Sequence, residues 1–133
     1  MKQTWSRSWN ASKQPRKQRK FRAQAPLHVK HKFLSAHLSE TLRTSTKRRS
    51  LPIRKGDEVL VMRGASKGVR ANVEKVSLTK GKIYLSGVNV KKVDGSEVLR
   101  PFQPSNLLIT KLNTDDKARK TILDRTAPKE MKK

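Results

Sequence analysis

Two glycines, Gly64 and Gly68, bracket a short segment flanked by Arg63, Lys67 and Arg70. Glycine adopts backbone angles closed to other residues and lets the main chain come close to a ligand. Three cations beside such a loop can grip the oxygens of a phosphate. The competing reading is an ordinary β-turn with solvated charges. The formal net charge of +23 favours phosphate, because so large an excess repels itself unless a polyanion neutralises it.

A second cationic set lies in the first 25 residues: Lys13, Arg16, Lys17, Arg19, Lys20 and Arg22, with Trp5, Trp9 and Phe21 among them. Guanidinium groups bind phosphate in two-pronged fashion, and indole and phenyl rings stack on bases. An RNA-penetrating extension explains this mixture better than a merely solvated run; a nuclear-import sequence is the rival. Arg43, Lys47, Arg48 and Arg49 trail a candidate helix, where cations suit the helix dipole. Arg43, Arg48 and Arg49 join the candidate RNA contacts. His28, His31 and His37 cluster, but with no cysteine and only Glu40 nearby they read as solvated or phosphate-facing imidazoles, not as metal ligands.

No set of residues suggests catalysis. Asp57 and Glu58 are adjacent, so in a strand they face opposite ways. Asp115-Asp116 reads as helix-terminus electrostatics. No Walker loop and no Gly-x-Ser-x-Gly elbow occurs. The expectation is a binding protein without metal, cofactor or small-molecule substrate.

The elements that must carry these groups fall into zones. Lys and Arg total 33 against 10 acids, with 15 cations and one acid in residues 1–54. All six glycines and nine of the ten valines lie in residues 55–112, and turns plus β-branched residues mean sheet. The spacing predicts strands at 58–63, 70–78, 83–93 with a bulge at Gly87, 98–99, and 106–110. A turn is expected at Lys80-Gly81 and a hairpin at Asp94-Gly95. Short strands joined by tight turns suggest a small meander closed into a barrel.

The N-terminal 25 residues hold too little apolar surface to offset the entropy of ordering, so an unstructured arm is expected. Leu34, Leu38 and Leu42 recur every four positions and predict a helix over 34–43, capped by Ser35 or Ser39. A partly ordered helix is expected after Asn113 or Thr114, ending at Pro128. The absence of cysteine, of a signal-peptide core in the first 30 residues and of any long apolar run leads to the expectation of an intracellular, soluble protein.

The segment 53–76 resembles a KOW motif, the strand–loop–strand signature of certain ribosomal proteins and elongation factors. Leu51-Pro52-Ile53-Arg54-Lys55-Gly56-Asp57-Glu58-Val59-Leu60-Val61 is similar to the barrel opening of the universal large-subunit ribosomal protein twenty-four family, in its archaeal and eukaryotic branch, which eukaryotes number twenty-six. The segments 34–43 and 104–112 resemble that branch's pre-barrel segment and closing strand. The resemblance covers roughly residues 26–125.

It implies a mainly β protein: a KOW-type, SH3-like barrel at 51–112. A basic extended arm at 1–33, a short helix and linker at 34–50 and a helical tail at 113–133 would flank it. It further implies a cytoplasmic, non-enzymatic constituent of the large ribosomal subunit. Such a protein binds the 5′ region of large-subunit rRNA, acts early in assembly and lies near the peptide exit tunnel. Its partners would be that rRNA and neighbouring ribosomal proteins, with no membrane and no homo-oligomer. Arg63, Gly64, Lys67 and Gly68 match the motif's RNA-facing loop. Ala71 stands where the family usually has glycine, which leaves open whether the backbone there is ordinary strand. The alternative is a KOW-type transcription or translation regulator. Such factors join the barrel to a polymerase-binding domain, for which this chain has no room.

Overall fold

A computed structural model describes residues 5–9 and 11–125. Its strands are β1 (Ser35–Leu38), β2 (Ser50–Pro52), β3 (Glu58–Val61), β4 (Arg70–Ser77), β5 (Lys82–Lys91), β6 (Glu97–Phe102) and β7 (Leu107–Lys111). They form one sheet in the order β2-β1-β7-β3-β4-β5-β6. Every neighbouring pair is antiparallel except β1 with β7, which run parallel. The chain is mainly β with a small SH3-like sheet, as expected. The closure expected of the meander is not complete: the hydrogen-bond ladder ends at β2 and β6, and the two outer strands do not pair.

Alternation along the strands builds the core. Val59 and Val61 of β3, Leu107 and Ile109 of β7, and Ile83 and Leu85 of β5 are all fully buried on one face. Each such side chain contributes roughly 1.5–3 kcal/mol by leaving water. Register shifts at Glu58/Val59, Val73/Lys75 and Tyr84/Asn89 bend the strands around that core. The last surrounds Gly87, whose φ of +72° fits the bulge expected there. In the Asp94-Gly95 turn only Gly95 takes positive φ. Asp94 instead accepts hydrogen bonds from the Ser96 N–H and hydroxyl, which hold its carboxyl below the usual range. Ala71 lies in β4 opposite Val59 and needs no unusual backbone angle.

Two flanking elements differ from expectation. The helix expected over 34–43 lies later, at Glu40–Thr46 (α3 in chain order), capped by the Ser39 hydroxyl. Residues Ser35–Leu38 are strand. The pattern Leu34, Ala36, Leu38 repeats every two residues as well as every four, so the leucine spacing fits both structures. All three are buried, whereas Leu42, the third leucine of the expected helix face, is half-buried on α3. The arm is not extended throughout: α1 (Pro15–Gln24) and α2 (Leu27–Phe33) are helical. Pro15 pre-sets the first turn of α1, and Arg, Lys, Gln and Ala are strong helix formers.

The tail helix α4 (Lys117–Asp124) is capped by Asp116, not by Asn113 or Thr114. Ile122 and Leu123 pack against the core. The expected stop at Pro128 lies outside the described residues.

Candidate nucleic-acid interface

The 64–68 loop leaves β3 and returns into β4. Val61 anchors both sides of it, donating to the Val69 carbonyl (2.9 Å) and accepting from the Gly68 N–H (2.8 Å). Lys67 N–H closes onto the Gly64 carbonyl at 3.0 Å, and Arg100 of β6 reaches Ser66 Oγ at 3.4 Å. Gly64 and Gly68 have φ of +94° and +87°, and nothing lies within 4 Å of where a Cβ would sit on either. A ligand therefore meets no other group on the Cβ side of either glycine. Arg63, Lys67 and Arg70 are all exposed, and neither Arg63 nor Lys67 meets an acid among the described residues. A turn closed by its own hydrogen bonds thus presents exposed cations with no side chain over its two glycines, so a phosphate can come close to it.

The arm cations Lys13, Arg16, Lys17, Arg19, Lys20 and Arg22 are exposed on and just before α1. None makes an ion pair among the described residues. The arm's aromatics, expected to be free for bases, meet one another. Phe21 lies 5.1 Å from Trp5 and 5.5 Å from Trp9, ring to ring, and 6.4 Å from Phe33. Arg22 stands over Phe33 at 5.8 Å. This cluster supplies the apolar contact that composition alone does not promise, and it steadies a helix otherwise too short to persist in water.

Arg43 donates to the Leu38 carbonyl at 3.2 Å, so its guanidinium is anchored beside β1. Arg48 is half-buried and Arg49 exposed between α3 and β2. The candidate contacts therefore sit in three regions: the loop and the start of β4, α1 with the residues just before it, and α3 with the connection to β2. His28 is exposed and His37 lies half-buried on the outer face of β1. Burial, then Arg54 and Arg119, lowers the pKa of His31. No group of three potential metal ligands occurs among the described residues.

At the opposite end of β3 the charges turn inward. Asp57, expected in a strand, precedes it and is fully buried. Its carboxylate accepts from Arg119 at 2.5 and 2.8 Å and from the N–H groups of Arg54 and Asn113, each at 2.9 Å. Arg119, only 2% exposed, also donates to the carbonyls of Asn113 and Pro52. Arg54 pairs with Asp116 beside them. The sequence carries no sign that Arg119, one of many cations, is the buried one. Its partner lies 62 residues away, and only the tight Gly56-Asp57 turn hints that Asp57 is special.

A hollow of about 640 Å³ at this end is lined by both signs of charge, including Arg54, Lys55, Glu74, Lys75, Asp115 and Asp116. Mixed charge suits a polyanion less well than the acid-free loop.

Residues 12–126 match the family described as the ribosomal proteins numbered L26 in eukaryotes and L24 in archaea. The chain is 50% identical over 114 residues to the large ribosomal subunit protein uL24 of Methanothrix thermoacetophila, covering 86% of this chain and 98% of that one. It is 54% identical over 108 residues to the protein of the same name from Methanosarcina barkeri, covering 81% and 93%. With that of Methanosphaera stadtmanae it shares 45% identity over 114 residues, covering 86% and 97%.

Proposed function

Because the chain belongs to the ribosomal protein family of eukaryotic L26 and archaeal L24, we propose that it is a structural constituent of the large ribosomal subunit that clamps rRNA by charge and shape. Like its family it is a structural protein and not an enzyme, and its place is the cytoplasmic ribosome. Arg63, Lys67 and Arg70, with Gly64 and Gly68 leaving the turn uncovered by side chains, hold phosphates at one end of the sheet. The cations of α1 and the α3–β2 connection hold further phosphates. The 5′ region of large-subunit rRNA, an early part in assembly and a position near the exit tunnel complete this reading.

One observation carries it. Arg63, Lys67 and the arm cations are left without acidic partners among the described residues, while the buried Asp57 is matched by Arg119. Unmatched surface cations of this number need an external polyanion. RNA is recognised here by backbone and shape, with little reading of base edges in duplex regions. The test is binding of the full chain to large-subunit rRNA across a salt series. A steep loss of affinity with salt is expected, from release of condensed counterions; an affinity indifferent to salt overturns the proposal.

A further inference from the structure

The arm holds a feature that phosphate clamping does not use. Lys17, Lys20, Phe21 and Gln24 follow the i, i+3, i+4, i+7 spacing of one helix face. The segment before α1 folds back so that Trp5 and Trp9 close over that face. Together they enclose a hollow of about 240 Å³ with no acid in its lining. That is below the range of about 300–1,000 Å³ for drug-sized ligands, and fits a single ring system.

We infer that the mouth of this hollow binds one unpaired RNA nucleotide, its base stacked on the exposed side of Trp9 and its phosphate held by Lys17 and Lys20. The inference rests on the RNA-binding reading above and goes further, since it adds base stacking to charge. Three observations carry it. The Trp9 and Phe21 rings, 5.5 Å apart and 30° from parallel, leave no room for a third ring between them, but Trp9 remains 36% exposed and offers its outer face. The Trp5 indole N–H is buried and has no acceptor among the described residues. A base carbonyl or phosphate oxygen supplies the missing acceptor. Both cations at the rim point to an anionic ligand, and stacking on an open ring requires a base released from its duplex. Trp5 and Trp9 precede residue 12, where the family match begins, so the two indoles lie outside what the family match covers, while Lys17, Lys20 and Phe21 lie within it.

Trp5 and Trp9 are the only tryptophans of the chain, so tryptophan fluorescence, excited where Tyr84 does not absorb, reports on this site alone. The experiment titrates the full chain with four probes at fixed salt: single-stranded oligoadenylate, the same backbone with abasic ribose, a fully paired RNA hairpin, and inorganic polyphosphate. Quenching by oligoadenylate alone is expected. Trp9→Ala should weaken oligoadenylate binding about tenfold with an unchanged salt slope. Trp5→Phe, which keeps a ring and removes the donor, should weaken it by a smaller factor.

Equal quenching by all four probes overturns the inference, because charge alone then explains the signal. Binding of oligoadenylate without quenching overturns it too, and leaves phosphate clamping standing. Failure of every RNA probe to bind overturns the clamping reading itself.

Discussion

The two ends of β3 use charge in opposite ways. Before the strand, Asp57 is buried and receives four hydrogen bonds, two of them from the equally buried Arg119. Beyond it, Arg63 and Lys67 stand in solvent with no acid to meet among the described residues. A buried charge is tolerated only when matched, and here it fastens α4 to the sheet. An exposed charge left unmatched contributes nothing to the fold and is available to a partner. Cohesion and recognition are thus separated to opposite ends of one strand.

The largest expected effect breaks the inward end. Arg119→Ala leaves the Asp57 carboxylate buried without its cation and should cost roughly 3–5 kcal/mol of stability by urea unfolding. A loss under about 1 kcal/mol would mean that α4 is not fastened as described. The outward end should behave conversely. Replacing Arg63, Lys67 and Arg70 together by alanine should shift stability by no more than about 0.5 kcal/mol. The same change should lower the salt slope of rRNA binding by about two to three. An unchanged slope would remove the loop from the interface.

The glycines sharpen the contrast. Gly56, at φ +87°, would place a Cβ 2.8 Å from the Asn113 side-chain nitrogen, whereas Gly68 has the same φ and open space. Gly56→Ala should therefore lose more stability than Gly68→Ala, both falling in the range of about 1–3 kcal/mol. Gly68→Ala should instead weaken RNA binding more. Equal stability losses would show that the crowding at Asn113 relaxes freely.

The smallest effect is a pH dependence. Burial, Arg54 and Arg119 hold the folded pKa of His31 below its unfolded value of 6.5. Its neutral form is favoured in the fold, so this stability is present above pH 6.5 and is lost as pH falls through the folded value. His31→Gln should narrow the gap in melting temperature between about pH 7.5 and pH 5.5. An unchanged gap would place that acid sensitivity elsewhere. Glu58, whose pKa is lowered chiefly by its hydrogen bond with Lys111, responds only at lower pH, beneath 4.5.

The sheet was legible because valine alternation and glycine turns are local signals. The 64–68 loop followed from two glycines and three cations within seven residues of one another. What escaped was non-local. Arg119 looks like its neighbours until α4 is docked, and no periodicity links it to Asp57. Leu34 and Leu38 point inward under either period, and pairing of β1 with β7 across the chain decided between them, leaving Leu42 half-buried on α3. The arm's helices depend on Trp5 and Trp9 meeting Phe21, an association that a count of apolar residues cannot reveal.

The separation of the two ends is tested most directly by crosslinking protein to RNA in purified large subunits and mapping the attached residues. Crosslinks are expected at Arg63, Lys67 and Arg70 and along residues 13–22, with few on the face formed by Asn113 and α4. Crosslinks concentrated on that face, with the 64–68 loop bare, would contradict the assignment of recognition to the outward end.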